Sequence, residues 1–169
     1  MYLHVISLAA IVKMYVIASM FDKKKTAPCS AASATELWVT LTRAQQRVLA
    51  AMERDLKAAG LPPLSWYDVL WELDRAEDGR LRPFEIEERT LLTQYNLSRL
   101  IDRLEKEALV RREVFDQDSR GRWVVITEAG RERRARMWTI YGRSIEEHLG
   151  ARLSEAEAQM LTDLLRRLA

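Results

Sequence analysis

One segment constrains the fold more than any other: an amphipathic helix pattern that passes directly into a hairpin pattern. Over residues 93–108, TQYNLSRLIDRLEKEA, leucine and isoleucine recur at three- and four-residue spacing, which predicts an α-helix with one buried face. Two short β-type runs follow within 111–126, and Gly121 in the DQDSRG stretch between them suits a hairpin loop. The chain is therefore expected to be mostly α with a small β-hairpin.

Two shorter helix patterns precede this segment. The first is SWYDVLWEL, residues 65–73, and the second is RPFEIEERT, residues 82–90, in which Pro83 suits the first helical position. Helix, helix and hairpin in this order are typical of a winged helix-turn-helix, which makes the fold class α+β. We expect this lobe to cover about residues 64–127.

Further helices are predicted on both sides of the lobe, at about 33–59 and 128–169, so that residues 33–169 form a single domain. Each begins with a capping signal. The capping residues are Ser33 with Glu36, Thr127, and Ser154 with Glu157. Because the lobe can build a core without them, the apolar stripes of these helices need other partners. The same helices of a second copy can cover them in a homodimer, or they can fold back on their own domain.

The first 32 residues differ from the rest of the chain. Residues 1–21 are mostly apolar and are followed by three lysines, but Lys13 interrupts the run and no basic residue precedes it. Neither a secretory signal nor a membrane-spanning helix is well matched by this pattern. Residues 26–34 form a small-residue linker. Three interpretations stay open: a dispensable or wrongly assigned extension, an extra helix packed on the body, and a membrane anchor, which is the least expected.

Composition limits the partners and the chemistry. The formal net charge is only +2, so an acidic partner must be met by a local cluster of basic residues. One cysteine, Cys29, excludes an intrachain disulfide and fits a reducing cytoplasm, and two histidines are too few for a Cys/His metal cluster. The sequence contains no glycine-rich phosphate loop and no zinc motif. We therefore expect that the protein is not an enzyme and that it has no catalytic residue, metal or cofactor.

Four segments, LSWYDVLWEL, NLSRLIDRLEKEALV, DSRGRWVVITEAG and LSEAEAQMLTDLLRRL, occur in this order along the chain. Together they resemble the MarR (multiple antibiotic resistance regulator) family of bacterial transcription regulators, and the similarity covers residues 37–169. The resemblance implies a winged helix-turn-helix lobe within a helical homodimer. It further implies repression by occupancy of palindromic double-stranded DNA, often relieved by a small aromatic ligand. The chain departs from the family pattern at Glu87, where a small residue is usual, and at Leu91 and Ala108, where glycine is usual.

Two parts of the lobe have the chemistry of a DNA reader. The exposed start of the recognition helix, 93–108, has no acidic residue before Asp102, and its amide and guanidinium groups can form bidentate contacts with adenine and guanine. In the wing, 111–126, the resemblance matches Asp118 and Arg120 to the family's Asp-x-Arg motif, with Asp118 orienting an arginine that enters the minor groove. The predicted DNA-binding residues are Thr93, Gln94, Tyr95, Asn96, Ser98, Arg99, Arg103, Asp118, Arg120 and Arg122.

These surfaces also have plainer interpretations. Polar residues cover the outside of most helices, so the recognition helix could present only a solvated face, and the lobe could be a protein–protein interaction module without specific DNA binding. A second basic cluster could extend the phosphate contacts, although a solvated helix start is the favoured interpretation. Its members are Arg131, Arg133, Arg134, Arg136 and Arg143.

Tryptophans on neighbouring helices raise a second kind of site. Trp38, Trp66, Asp68 and Trp71 are the candidates for binding a small aromatic effector, by resemblance to ligand-responsive members of the family. The alternative is packing in the core, which is the more common role of aromatic side chains at helical spacing.

Overall fold

The computed structural model describes residues 28–90, 92–115 and 118–168, without the side chains of residues 115 and 118–121. The predictions for the apolar segment and for Leu91 lie outside the described residues. The chain divides into two compact units, residues 1–42 and 43–169, and the boundary falls within the first described helix. Among the helices of the described part, none combines the length and apolar character that crossing a membrane requires.

The described residues contain six α-helices and three β-strands. The helices are α1 (Ala31–Ala58), α2 (Leu64–Asp74), α3 (Pro83–Arg89), α4 (Gln94–Lys106), α5 (Glu128–His148) and α6 (Glu155–Arg166). The strands are β1 (Arg80–Leu81), β2 (Val110–Phe115) and β3 (Asp118–Ile126). The predicted fold class, mostly α with a small β component, is confirmed.

The start of α1 differs from the prediction by about one turn. The N–H of Ser33 donates to Oγ of Ser30 at 3.2 Å, so Ser30 caps the helix and Ser33 lies inside it. The capping box predicted for Ser33 and Glu36 is wrong, because Ser30 offers the same hydroxyl acceptor three residues earlier. The other predicted caps are confirmed, at Thr127 for α5 and at Ser154 with Glu157 for α6.

The sheet contains one strand more than the sequence pattern predicts. β1 pairs antiparallel with β3, and β3 pairs antiparallel with β2, so the strand order is β1-β3-β2. β3 begins at Asp118 rather than at the predicted Arg122, so Gly121 lies inside the strand and the predicted six-residue loop is wrong. The reason is that ladder hydrogen bonds join backbone groups, so pairing continues through polar residues that do not look like a strand.

The core lies where α2, α4, the sheet and α5 meet. Leu70 and Leu73 of α2, Leu104 of α4, Val124 of β3 and Met137 of α5 are fully buried in one cluster. The apolar stripe predicted for α4 is confirmed, and burial of Met137 shows that α5 shares the core of the lobe. α5 therefore holds a fixed position relative to the recognition helix.

A close backbone approach joins α5 to the end of α4. Oγ1 of Thr127 donates to the carbonyl of Ala108 at 2.7 Å and accepts a hydrogen bond from the N–H of Gly130 at 3.1 Å. A Cβ added at Gly130 would lie 2.2 Å from the carbonyl oxygen of Leu109. Only glycine fits at this point of α5.

Helices α1 and α4 end in the same backbone motif. Each is followed by one residue with positive φ, Gly60 at +68° and Ala108 at +57°. The closing hydrogen bonds run from the N–H of Leu61 to the carbonyl of Leu56 and from the N–H of Leu109 to the carbonyl of Leu104, both 2.9 Å. Both ends are Schellman motifs, in which glycine is the usual left-handed residue. The second one forms although alanine stands at that position.

Candidate nucleic-acid interface

The start of α4 presents a polar face to solvent. Thr93 occupies the N-cap position with an extended backbone, but its side chain makes no capping hydrogen bond. The first N–H groups of a helix have no partner within the helix, so this end offers donors and a partial positive charge. The predicted residues on this face are all exposed: Thr93, Gln94, Tyr95, Asn96, Ser98, Arg99 and Arg103.

The opposite face of α4 fixes its orientation. Leu97, Leu100 and Ile101 are buried in the core. Since α4 packs against α3 and β2 through this face, the polar face is held rigidly outward. α4 can therefore bind a partner as a rigid helix whose orientation is already fixed.

Tyr95 and Arg99 form a pair on the exposed face. The guanidinium carbon of Arg99 lies 4.5 Å from the centroid of the Tyr95 ring, and the tyrosine is 63% exposed. A cation over an aromatic face is attracted by the ring quadrupole, so the ring restricts the arginine without neutralising it. This pair keeps a full positive charge at the surface of α4.

A shallow cleft of about 290 Å³ runs between α2 and the polar face of α4. Trp66, which is 7% exposed, forms part of its wall. The polar groups around it come from Ser65, Asn96, Arg99 and Arg103. Two guanidinium groups beside hydroxyl and amide donors make this cleft suitable for an anionic oxygen group.

Several arginines of the lobe are paired with carboxylates of the chain, and this decides which positive charges are free. Arg112 forms ion pairs with Asp102 and Glu105, and Arg111 forms one with Glu113. By contrast, no described carboxylate pairs with Arg99 or Arg103. The base of the hairpin therefore has less available positive charge than its two arginines suggest. The exposed face of α4 keeps the positive charge of its arginines. Asp102, the first acid of α4, is also occupied by Arg112.

The wing carries Arg122 on β3, and its side chain is exposed. The side chains of Asp118 and Arg120 lie outside the described residues, so the orienting role predicted for Asp118 stays a prediction. Their backbone belongs to β3, where Asp118 pairs with Phe115.

Sequence reasoning missed two basic residues beside the wing. The guanidinium carbons of Arg80 and Arg82 lie 5.1 and 5.2 Å from the centroid of the Trp123 ring. Arg80 belongs to β1, the strand that was not predicted, and it also pairs with Asp78 at 3.2 Å. The alternation Arg-Leu-Arg before Pro83 was the available signal, because alternating polar and apolar residues are typical of a half-buried strand.

The basic cluster at the start of α5 has a structural role that the two predicted interpretations did not include. Asp74 of α2 forms ion pairs with both Arg131 and Arg134, and Arg133 pairs with Glu107 at 3.3 Å. These arginines hold α5 against α2 and against the end of α4. They contribute little positive charge to an external partner.

The effector candidates occupy different surroundings. Tyr67 is stacked between Trp71 and Trp138 with ring centroids 6.1 and 5.9 Å apart, and Tyr141 meets it edge-on at 5.1 Å. Sequence reasoning had proposed Trp71 but not the other three rings, which come together only through packing of α2 on α5. Trp66 instead belongs to the cleft beside α4, and Trp38, on the first unit, is 68% exposed.

Asp68 is a half-buried carboxylate close to this aromatic cluster. Burial, together with the smaller effect of the negative charges of Glu53 and Glu72, raises its pKa to about 6. Burial raises the pKa of Tyr141, and the negative charge of Asp68 makes a smaller contribution in the same direction. An acid of this kind beside four aromatic rings could bind the polar end of an aromatic molecule.

The sequence is similar to known transcriptional regulators. A family model described as MarR family matches residues 59–121. The HTH-type transcriptional regulator MhqR of Bacillus subtilis (strain 168) is 28% identical over 133 residues, which are 79% of this chain and 89% of that protein.

Solved structures agree with the observed fold. Sco3205, a MarR family transcriptional regulator from Streptomyces coelicolor solved in complex with DNA, superposes with a TM-score of 0.75 at 24% identity and covers 86% of this chain and 91% of its own. BpsR from Bordetella bronchiseptica, described in terms of regulation of its DNA binding by 6-hydroxynicotinic acid, has a TM-score of 0.69 at 24% identity, over 79% of this chain and 98% of its own. At this identity, both similarities concern the fold.

Proposed function

We propose that the chain is a MarR family transcriptional regulator, a repressor that binds palindromic double-stranded DNA as a homodimer and releases it when a small aromatic ligand binds. The match to the MarR family model and the similarity to MhqR support this proposal. The observation that carries this proposal is the exposed start of α4, a polar helix face without an acidic side chain before Asp102. Sco3205, which has the same fold, was solved with DNA, and this supports the assignment of DNA as the partner.

In the proposal, α4 enters the major groove and reads bases. The exposed amides of Gln94 and Asn96 can each donate and accept at one adenine, and the exposed guanidinium of Arg99 can bind guanine. Each good bidentate pair discriminates against the wrong base by roughly 1–3 kcal/mol. Three such groups on one helix face are enough to specify a short half-site.

Phosphates are bound beside the groove. Arg99 and Arg103 flank the cleft between α2 and α4, where the hydroxyl of Ser65 and the amide of Asn96 also lie. Because neither arginine has a described carboxylate partner, each can release counterions from DNA on binding. In contrast, a phosphate would have to displace Glu113 before it could pair with Arg111.

The wing is proposed to bind the adjacent minor groove. Arg122 is exposed on β3, and the family motif assigns Arg120 to the same groove. A narrow minor groove concentrates negative potential and attracts arginine, so this contact reads the shape of DNA more than its bases. Asp118 is proposed to orient Arg120.

The homodimer is supported by an apolar face that the described residues of the chain leave uncovered. α6 is a 12-residue helix that contains no buried residue. Helices of this length are marginal in water without tertiary packing, so a stable α6 needs another surface. The exposed apolar residues of α6 and of the segment that follows it are Met160, Leu161, Leu164, Leu165 and Leu168. A second copy, related by two-fold symmetry, would cover them and would place two α4 helices on one side of the dimer.

The effector is proposed to bind next to Asp68 and Trp71. Both lie in α2, which packs against α5 and also contributes to the cleft beside α4. A ligand wedged against these residues could shift α2 and thereby change the spacing of the two recognition helices. Trp66 and Trp38 are retained as proposed ligand contacts of lower priority, since they are not part of the four-ring cluster.

Selection of binding sites from random DNA tests the proposal directly. A two-fold symmetric dimer should recover a palindrome whose half-sites are centred about 10 base pairs apart or a multiple of that spacing. The affinity for the selected site should fall by about a thousandfold or more between 50 and 200 mM salt if six phosphates are contacted. Selection of no common sequence, with an affinity that does not depend on salt, would favour a protein-interaction module instead.

A variant separates base reading from general binding. Asn96→Ala should relax the base preference at particular operator positions while binding to unrelated DNA changes little, because Asn96 carries no charge. Recovery of an unchanged palindrome with this variant would exclude Asn96 from base reading. Adding aromatic acids during the selection, with mobility-shift measurement of the released DNA, tests the effector part separately.

A further inference from the structure

The C-terminal ends of α1 and α5 meet in a polar contact away from the candidate DNA surface. Nε2 of His148 lies 2.9 Å from Oδ2 of Asp55. The hydroxyl of Ser144, which is 2% exposed, donates a hydrogen bond to the same carboxylate oxygen. The carboxylate of Asp55 is therefore held in one orientation by two residues of α5.

A third donor stands next to this pair. One carboxylate oxygen of Glu147, one of Asp55 and a ring nitrogen of His148 all lie within 4.8 Å of one another. Bonds of 2.0–2.2 Å to a common ion would place neighbouring donors roughly 3–3.5 Å apart. The separation between Asp55 and His148, 2.9 Å, lies just below this range, and the exposed Glu147 can close the remaining distance by a rotation of its side chain.

We propose that Asp55, Glu147 and His148 form a binding site for a divalent transition-metal ion such as Zn²⁺. One imidazole nitrogen and two carboxylate oxygens are ligands that Zn²⁺ accepts, whereas Mg²⁺ and Ca²⁺ prefer oxygen ligands alone. The ion takes the place of the proton between Nε2 of His148 and Oδ2 of Asp55. Three protein ligands leave at least one coordination position for water.

Ser144 has the role of a positioning residue at this site. Its hydroxyl donates to Oδ2 of Asp55 from a buried position, as residues behind a metal ligand commonly do. Loss of such a contact typically weakens metal binding by about 10–100-fold. Ser144→Ala should therefore lower the affinity although Ser144 does not touch the ion.

No motif of the sequence reveals this site. The count of one cysteine and two histidines excludes a Cys/His cluster, but it says nothing of carboxylates that are distant in sequence. Asp55 and His148 are brought together only by packing of α1 against α5. Both helices also belong to the proposed dimerisation part, yet the metal site does not depend on DNA binding.

The test is titration of the full-length protein with Zn²⁺ alone, in a Cys29→Ser background so that the exposed thiol cannot bind the ion. Isothermal titration should show one saturable ion per chain, and the melting temperature should rise as Zn²⁺ is added. His148→Gln and Glu147→Gln should each weaken binding at least tenfold. Glu146→Gln, which removes a neighbouring exposed carboxylate, is the matched control and should bind like the parent.

The readouts also separate a metal site from a simple tie between two helices. Glu147 is exposed, so Glu147→Gln should fold normally and lose only the metal-dependent rise in melting temperature. The imidazole signal that disappears in His148→Gln should shift in the parent when Zn²⁺ is added. Equal Zn²⁺ binding by the parent and His148→Gln, or destabilisation by His148→Gln without any Zn²⁺ binding by the parent, would overturn the proposal.

Discussion

Replacing Ala108 by glycine should stabilise the protein, although it removes a methyl group next to the recognition helix. Ala108 has φ of +57°, a region that costs an L-residue roughly 1–2 kcal/mol. Its side chain is exposed, so truncation removes no buried apolar area. Glycine gains freedom in the unfolded chain, which offsets about 0.5–1 kcal/mol of the relief. The expected net effect is an increase of about 0.5–1 kcal/mol in the free energy of unfolding.

The chain contains its own matched control. Gly60 ends α1 in the same Schellman motif, at φ of +68°, and a Cβ added there would meet nothing within 4 Å. Gly60→Ala therefore introduces the same backbone strain without a steric clash. It should lower the free energy of unfolding by about the amount that Ala108→Gly raises it.

Denaturant unfolding of both single variants and of the double variant measures these effects. For a chain of this size, 1 kcal/mol corresponds to about 2–4 °C in melting temperature, so thermal unfolding gives a second readout. The two sites share no partners, and the double variant should lie within about 0.5 kcal/mol of the parent. A decrease in stability on Ala108→Gly, with Gly60→Ala behaving as expected, would refute the conclusion that Ala108 is strained.

Three further predictions concern packing, titration and charge. Gly130→Ala should lower the free energy of unfolding by about 2–3 kcal/mol because its Cβ would meet a carbonyl oxygen at 2.2 Å. Gly142→Ala, whose Cβ would lie 3.4 Å from the Trp138 ring, should be neutral or stabilising in the same denaturant assay. The raised pKa of Asp68, about 6 against 3.8, favours the folded state at low pH, and this contribution is lost as the pH rises through about 6. Asp68→Asn should therefore flatten the dependence of stability on pH and add on the order of 1–2 kcal/mol at pH 8, after allowance for partial exposure; an unchanged slope would contradict the assignment. Arg99→Gln should weaken operator binding by roughly 1–3 kcal/mol and reduce the salt slope by about one, whereas Arg111→Gln, already paired with Glu113, should change both much less in a mobility-shift assay.

The local elements of the lobe could be predicted because their signals are local. The stripe of Leu97, Leu100, Ile101 and Leu104 follows the period of a helix, and burial of all four confirms it. The caps at Thr127 and Ser154 depend on hydroxyls one turn from the N–H groups they accept. Such features involve residues a few positions apart, which a single sequence displays directly.

The ends of helices and strands were predicted less accurately than their presence. Ser30 rather than Ser33 caps α1, because Ser30 offers the same hydroxyl acceptor three residues earlier in the chain. β3 starts at Asp118, and β1 was missed, because both depend on backbone pairing with a neighbouring strand. Strand ends are decided by the partner strand as much as by their own residues.

For the candidate site, the sequence determined by itself which side chains occupy the recognition helix and the wing, since helical periodicity alone separates the buried face of α4 from its polar face. Only the tertiary structure decided which positive charges stay available there. Arg112, Arg131 and Arg134 are indistinguishable in sequence from Arg99, yet each is paired with a carboxylate from another element of the fold. The physical reason is that ion pairs and ring stacks join residues up to dozens of positions apart, so they exist only after α2, α4, the sheet and α5 have packed together.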